Sequence, residues 1–436
     1  MSRTLYDCPL ISRRITITLF ATQSLARAAF IACGTVSAIV GMQLSGSEAW
    51  AGVPAAVLGF AGALAAVAVA TTTERIGRRR GLALGLGVGV LGMGVAAGAI
   101  VAGAFQLFLG GLALMGVASA AMLLGRFAVA EVHPPERRGR AISLVVIGGA
   151  TGSVAGPLIV GPAGKWAQGA GMPELAGPYL AAMVVLAVAA VATFVWLRPD
   201  PRDVGRKMAE RHPESSARGG FARSISQILR TPATFIAILT MALSQMVMIM
   251  VMVVTSPYMI RNQHDLTDIS IVIAAHTFGM FALSFVAGRL ADRWGRGWVM
   301  LAGAGLLILA CALAPLSSDV LPLSAALFLL GLGWNFCFVG GSTLLSDHLS
   351  ATERAKTQGI NDSLIGLTTA AASLGSGLIF ALTSYAVMNM VGIAISLVPL
   401  GLAGWWVISR RGLGKSSLPR RRDVEAVLHP EGGQPE

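Results

Sequence analysis

Charge is scarce in this sequence: only 12% of its 436 residues are Asp, Glu, Lys or Arg. A soluble globular chain carries roughly twice that share, so a water-covered surface is excluded for most of the length. Aromatic residues are also few, at 6%, and only 4 of them are tyrosine. The four cysteines, Cys8, Cys33, Cys311 and Cys337, are scattered without paired spacing or neighbouring histidines. That pattern gives neither a disulfide framework nor a metal site. The loops hold no Walker, nucleophile-elbow or zinc-ligand pattern and are too short for a catalytic domain. Neither an enzyme nor a cofactor is expected. Acids are rarer than bases, 21 against 33, which leaves a net charge of +12. A nucleic-acid partner would suit that number, but the distribution of the charge argues against one.

What fills the chain instead is apolar residue and glycine. Hydrophobic residues make up 55%, glycines number 53, and mean hydropathy is +0.71. Apolar stretches long enough to cross a hydrocarbon core of about 30 Å recur along the sequence. Strict apolar/polar alternation is absent, so the spans are expected to be helices rather than strands of a barrel. They fall at 15–42, 49–72, 82–103, 105–130, 141–164, 177–197, 232–257, 268–288, 298–317, 321–345, 358–385 and 387–409. The expected fold class is an all-α polytopic membrane protein of twelve transmembrane helices arranged as two six-helix pseudo-repeats. Residues 1–197 form the first half and 232–409 the second. Residues 198–231 are a polar, Pro-bounded cytosolic linker whose end, Phe221 to Leu229, suits a short amphipathic surface helix. Residues 410–436 form a basic tail without expected order.

Of the 33 Lys and Arg residues, 29 lie in the N-terminus, the even-numbered loops and the C-terminal tail. Lys165 and Arg261 lie in the opposite loops, and Arg27 and Arg126 lie within spans. By the positive-inside rule both termini are cytosolic, the membrane is the plasma (inner) membrane, and anionic headgroups are the partner for the basic charge. The first span also reads as a signal peptide, with Arg13 and Arg14 before an apolar run and Ala-x-Ala at 26–28. Against cleavage stands a repeat at an offset near 218, which needs this span to match the seventh.

The repeat is clearest in two charged loops. "GRLADRWGRG" at 288–297 supplies Gly288, Asp292, Arg293, Gly295 and Arg296, and "ATTTERIGRR" at 70–79 supplies Glu74, Arg75, Gly77 and Arg78. Topology alone accounts for the arginines, but not for an acid and a glycine at matching places in both halves. Glycine permits a tight turn, the acid can cap a neighbouring helix, and arginine offers forked donors to a second acid.

In these residues the chain resembles the major facilitator superfamily, whose G-x-L-x-D-R-x-G-R signature is met by the second copy. The first copy departs from it, with Ala70 and Thr72 for Gly and Leu and Glu74 for Asp. The resemblance implies a latch between inward-open and outward-open states, made with an acid at the end of the fourth or tenth span and the bases after it. Those positions are Glu131, Arg137 and Arg138, and Asp347, Arg354 and Lys356. "GATGSVAGPLIVGP" at 149–162 is similar to the family's antiporter motif, with Gly152, Gly156 and Pro157 matching as a hinge or seal. Ordinary helix packing also explains those small residues. The family's fourth-span arginine position is Leu112 here, and Arg126 is the substitute charge, placed to snorkel or to pair with Glu131.

Ionisable residues inside a bilayer cost about 2.5 to 3.5 kcal/mol each on insertion scales and mark function by default. Arg27 lies roughly 18 Å along the first span, and its counterpart in the seventh is Gln245. With Gln23, His276 and Asn335 these residues form the expected substrate and proton cavity; interhelical hydrogen bonding is the competing reading. The unperturbed pKa of histidine suits His276 to proton exchange. Asp362 either carries a proton or caps the start of its helix beside Asn361, and capping is favoured.

The implied function is secondary transport of a small solute by alternating access. Proton coupling is expected, with antiport or efflux favoured over import. Arg27 favours a neutral or anionic substrate, and a monomer is expected. The alternatives are a nutrient importer or facilitator, and a non-transporting assembly or sensing protein on the same scaffold.

Overall fold

The structure is a computed structural model that describes residues 9–211, 225–349 and 351–416. Among the described residues it is helical throughout and contains no strand. Twelve helical segments are long and apolar enough to cross a membrane. The chain is a multi-pass membrane protein. Because lipid cannot hydrogen-bond the backbone, each run closes its own N–H···O=C bonds, and the many glycines let the resulting helices approach closely.

In the first half the spans are Pro9–Ser45, Val53–Ile76, Arg78–Ala102, Phe105–Glu131, the pair Pro135–Leu158 and Val160–Gly169, and Ala176–Trp196. In the second they are Pro232–Arg261, the pair Leu266–Phe281 and Ser284–Trp294, Arg296–Leu313, Val320–Asp347, Ala351–Leu382 and Tyr385–Ser416. The linker contributes Pro201–Arg211 and the short helix Ile225–Leu229. Phe221 to Ser224 and the tail beyond Ser416 lie outside the described residues. The first span is one helix from Pro9 onward and packs on the fifth and sixth spans.

The fifth and eighth spans are each broken, which continuous apolar runs did not predict. Pro157 removes an N–H from the helix interior, and the helix ends one residue later. It resumes at Val160 with Pro162 in the new first turn, where a missing N–H costs nothing. The eighth span breaks at Ala282–Leu283. There Asn335 of the tenth span donates from Nδ2 to the Met280 carbonyl at 2.6 Å and to Ser284 Oγ at 2.7 Å. It thereby supplies a partner for a carbonyl at the interruption.

The duplication is visible in the backbone. Gly77 and Gly295, 218 positions apart, have φ/ψ of 93°/156° and 95°/153°. Each ends one span and starts the next in a conformation that a side chain would strain. The loops holding these turns define a basic face.

The halves meet most closely at the other face. There Gly52 packs on the Ser373 backbone, Gly377 on Ala49, and Gly161 on Thr267. The first helix of the eighth span packs chiefly on the tenth span and also on the fifth, whereas its second helix packs chiefly on the ninth and tenth. The eighth span therefore leaves the other half on its way to the basic face.

Candidate functional site

Arg27 lies deep within the protein, yet its side chain is exposed. It has no hydrogen-bond or ion-pair partner among the described residues. Its neighbours on the first span are occupied with packing. Gln23 donates from Nε2 to the Met122 carbonyl of the fourth span at 2.7 Å. Ser24 donates to the Gly148 carbonyl of the fifth span, also at 2.7 Å. A Cβ on Gly152 would fall on the Ser24 backbone, and one on Gly156 would lie 2.5 Å from the Ala28 carbonyl oxygen. Those two motif glycines hold the fifth span tightly against the first, which presents Arg27.

In the second half the seventh, tenth and eleventh spans share a fixed polar chain. The Gln245 side chain donates from Nε2 to Thr369 Oγ1 at 3.1 Å and accepts at Oε1 from the Trp334 indole N–H at 2.7 Å. Trp334 stacks on Phe338 with ring centroids 5.1 Å apart. Trp334 and Thr369 were not singled out from the sequence; an indole and a hydroxyl inside spans were the available signal.

Two expected cavity residues sit elsewhere. His276 is fully buried between the eighth and tenth spans, with Nδ1 3.0 Å from the Leu327 carbonyl oxygen and Nε2 without a partner. Asn335 is 3% exposed and is occupied at the eighth-span break. The structure brings neither to an open wall.

The latch residues divide by half. Arg78 pairs with Glu131 at 2.6 Å, and Arg296 with Asp347 at 2.9 Å and Asp292 at 3.3 Å. Each arginine thus ties the start of one span to the end of the next within its own half. Glu74, Arg75, Arg137 and Arg293 are exposed, Arg138 donates to the His133 carbonyl, and Gly288 is half-buried. The side chains of Arg354 and Lys356 lie outside the described residues. Asp200, at the linker's start, was missed: it accepts from the backbone N–H groups of Arg78 and Arg79 at 3.0 and 3.1 Å and so caps the third span.

Two expectations for charged residues are corrected. Arg126 pairs not with Glu131 but with Asp362, Nη2 to Oδ2 at 3.1 Å, across the two halves. Asp362 lies in the interior of the helix Ala351–Leu382, so it does not cap its start. At the other face two further pairs cross between halves, Arg261–Glu48 at 3.5 Å and Lys165–Asp265 at 3.9 Å. Glu174 beside them is held above the usual carboxylate range, first by burial and then by the charge of Asp265, with Lys165 opposing. Among the described residues no group of His, Cys, Asp or Glu is placed to hold a metal ion.

Comparison with known proteins accords with this architecture. The family model described as Major Facilitator Superfamily matches residues 18–261 and 237–431. An uncharacterized MFS-type transporter of Bacillus subtilis, YdeG, is 36% identical over 375 residues, 85% of this chain and 86% of that one. The riboflavin transporter RfnT of Brucella anthropi is 28% identical over 394 residues, 89% and 95% of the two chains. A bacterial homologue of the human lysosomal transporter Spinster, solved inward-facing and occupied, superposes with a TM-score of 0.70. That match has 13% identity and covers 95% of this chain and 100% of the other. Sequence and fold together show that the chain belongs to the major facilitator superfamily and is a membrane transporter of that type.

Proposed function

We propose that the chain is a secondary transporter of a small solute that is either anionic or a neutral hydrogen-bond acceptor, moved by alternating access of the two halves and driven by protons. The observation that carries this reading is Arg27, a guanidinium inside a span, exposed and unpartnered among the described residues. Its five N–H donors need acceptors, and a charge left unpaired at membrane depth is costly. A passing anion or acceptor-rich solute satisfies both demands. On the second half the half-buried Gln245 and Thr369, fixed by the buried Trp334, offer an amide and a hydroxyl to the rest of such a solute. Riboflavin, the cargo in the name of the relative RfnT, is neutral and rich in acceptors and falls in this class.

The basic face is assigned to the cytosol of the plasma (inner) membrane, with both termini on that side and anionic headgroups against its arginines. The protein acts as a monomer. Two coupling modes suit a proton drive. The fifth-span glycines, in their likeness to an antiporter motif, support exchange and efflux; the pair Arg126–Asp362 supports proton–solute co-transport. The test is flux into proteoliposomes under an imposed pH gradient, screening riboflavin and a panel of aliphatic and aromatic carboxylates. Protein-dependent flux that responds to the gradient is expected. Flux equal to that of empty liposomes for the whole panel would refute the proposed substrate class.

A further inference from the structure

The third and sixth spans pack on each other, and on the side they turn to the bilayer they leave a crevice of about 700 Å³. Arg80, Leu84, Gly87 and Leu91 of the third span line it together with Val191 and Phe194 of the sixth. The four third-span positions are spaced by four, three and four residues, so they form one stripe of the helix. From Arg80 to Leu91 that stripe runs ~16 Å, about the depth of one leaflet in a hydrocarbon core of about 30 Å. The volume lies within the range of about 300 to 1,000 Å³ usual for ligand sites.

Gly87 forms the floor of the crevice. A Cβ there would meet nothing within 4 Å, whereas a Cβ on Gly85 or Gly89 would fall on Ala121 or Ala118 of the fourth span. Those two glycines serve helix packing. Gly87 faces the other way, and among the described residues it gains no packing contact in return for weakening the helix.

The basic-face end of the stripe carries two available cations. Arg80 is exposed and has no hydrogen-bond or ion-pair partner among the described residues. The Arg79 guanidinium lies over the Phe194 ring, 5.0 Å from its centroid, which holds it at the mouth between the two spans. Other anion-binding groups nearby are already engaged: Asp200 accepts from the backbone N–H groups of Arg78 and Arg79, and the Arg78 side chain pairs with Glu131. The duplication supplies a comparison. At the offset of 218, Arg79 and Arg80 correspond to Gly297 and Trp298. A Cβ on Gly297 would meet Val407 and Trp406 of the twelfth span at 2.8 and 2.9 Å, so protein fills that corner and neither arginine is matched there. The cationic crevice therefore belongs to the first half and does not follow from the fold alone.

We propose that this crevice binds one anionic phospholipid of the basic-face leaflet, its phosphate on Arg79 and Arg80 and one acyl chain laid over Gly87 along Leu84, Leu91 and Val191. The proposal rests on the assignment of anionic headgroups to the basic face and narrows that layer to a single seat. Forked guanidinium donors suit phosphate oxygens, and the chain covers the apolar stripe, which a soluble phosphate cannot do.

The test offers the purified full-length protein, stripped of lipid in detergent, equal amounts of phosphatidylglycerol and phosphatidylcholine with the same acyl chains. Native mass spectrometry then counts the lipids each chain retains. One phosphatidylglycerol per chain is expected ahead of any phosphatidylcholine. Arg80→Gln should weaken its retention about fivefold, and Arg79→Gln with Arg80→Gln on the order of thirtyfold, at the affinity that each arginine near a membrane surface supplies. Gly87→Leu fills the floor without meeting protein and should abolish retention. Gly98→Leu lies on the same stripe about three turns further from the basic face, also meets nothing within 4 Å of its Cβ, and should retain the lipid; circular dichroism checks that both variants are folded. Inorganic phosphate should not displace the lipid. A preference for phosphatidylglycerol that is unchanged in Gly87→Leu and in the arginine variants would overturn the single site while leaving the headgroup layer standing. No preference in the wild type would remove both, and displacement by inorganic phosphate would overturn the lipid site in favour of a soluble anion.

Discussion

Replacing Gly152 by alanine tests whether the fifth-span glycines serve as close-packing positions. A Cβ there would sit on the Ser24 carbonyl, far inside contact distance, and the obstacle is backbone rather than a side chain that can turn away. The two helices must part locally by roughly 1 Å or more before carbon and oxygen reach an ordinary separation. Overpacking of this kind costs about 1 to 3 kcal/mol. Parting also strains the 2.7 Å bond from Ser24 to the Gly148 carbonyl, and interhelical bonds in membranes average about 0.6 kcal/mol. The intrinsic helix preference of alanine returns up to about 1 kcal/mol. The net is a destabilisation of about 1 to 3 kcal/mol. Gly149, one turn earlier on the same helix, has nothing within 4 Å of a Cβ. There only the helix-propensity term remains, and Gly149→Ala should be neutral or stabilising by up to about 1 kcal/mol. Unfolding in mixed micelles followed by circular dichroism compares the two variants in one host. Equal stability of Gly152→Ala and Gly149→Ala would refute the close-packing argument.

Two further outcomes follow from the loops. Asp200→Ala removes the cap from the third span and should cost about 0.5 to 2 kcal/mol in the same unfolding assay, with Asp200→Asn near wild type; an unchanged midpoint for Asp200→Ala would contradict the capping role. Glu174 has a raised folded-state pKa, so its neutral form is the one favoured when the Lys165–Asp265 face is closed. Its contribution to closure is present at low pH and is lost as pH rises through the raised value. Thiol labelling of a Thr267→Cys probe at that face should therefore speed up with rising pH, and Glu174→Gln should flatten the dependence. A slope unchanged in Glu174→Gln would show that another group sets it.

The fold was legible because the bilayer leaves so few solutions: twelve apolar runs with lopsided basic loops specify twelve helices and a two-fold repeat, and Gly77 and Gly295 confirm the register. The breaks in the fifth and eighth spans were not legible in the same way. Pro157 marks the first in sequence, but the second depends on Asn335, 55 residues from the carbonyl it satisfies. The candidate site divides similarly. Arg27 was readable as a lone charge in an apolar helix, and it is exposed and without a hydrogen-bond or ion-pair partner among the described residues. Asp362 was read by its place near a helix start, whereas its partner Arg126 lies 236 residues away on the other half. Local sequence carries no signal for such a pair. His276 and Asn335 were chosen for being polar inside spans, a property that a packing role between the eighth and tenth spans satisfies equally well.

The central claim is that Arg27 binds the solute, and counterflow tests it most directly because exchange across liposomes at equal pH needs binding and alternating access but no proton drive. With a compound that the wild type moves, Arg27→Gln should raise the half-saturation concentration by at least about tenfold, as expected for the loss of a charged hydrogen bond of about 1.5 to 3 kcal/mol. Counterflow by Arg27→Gln at wild-type affinity, in protein of unchanged stability, would contradict the account.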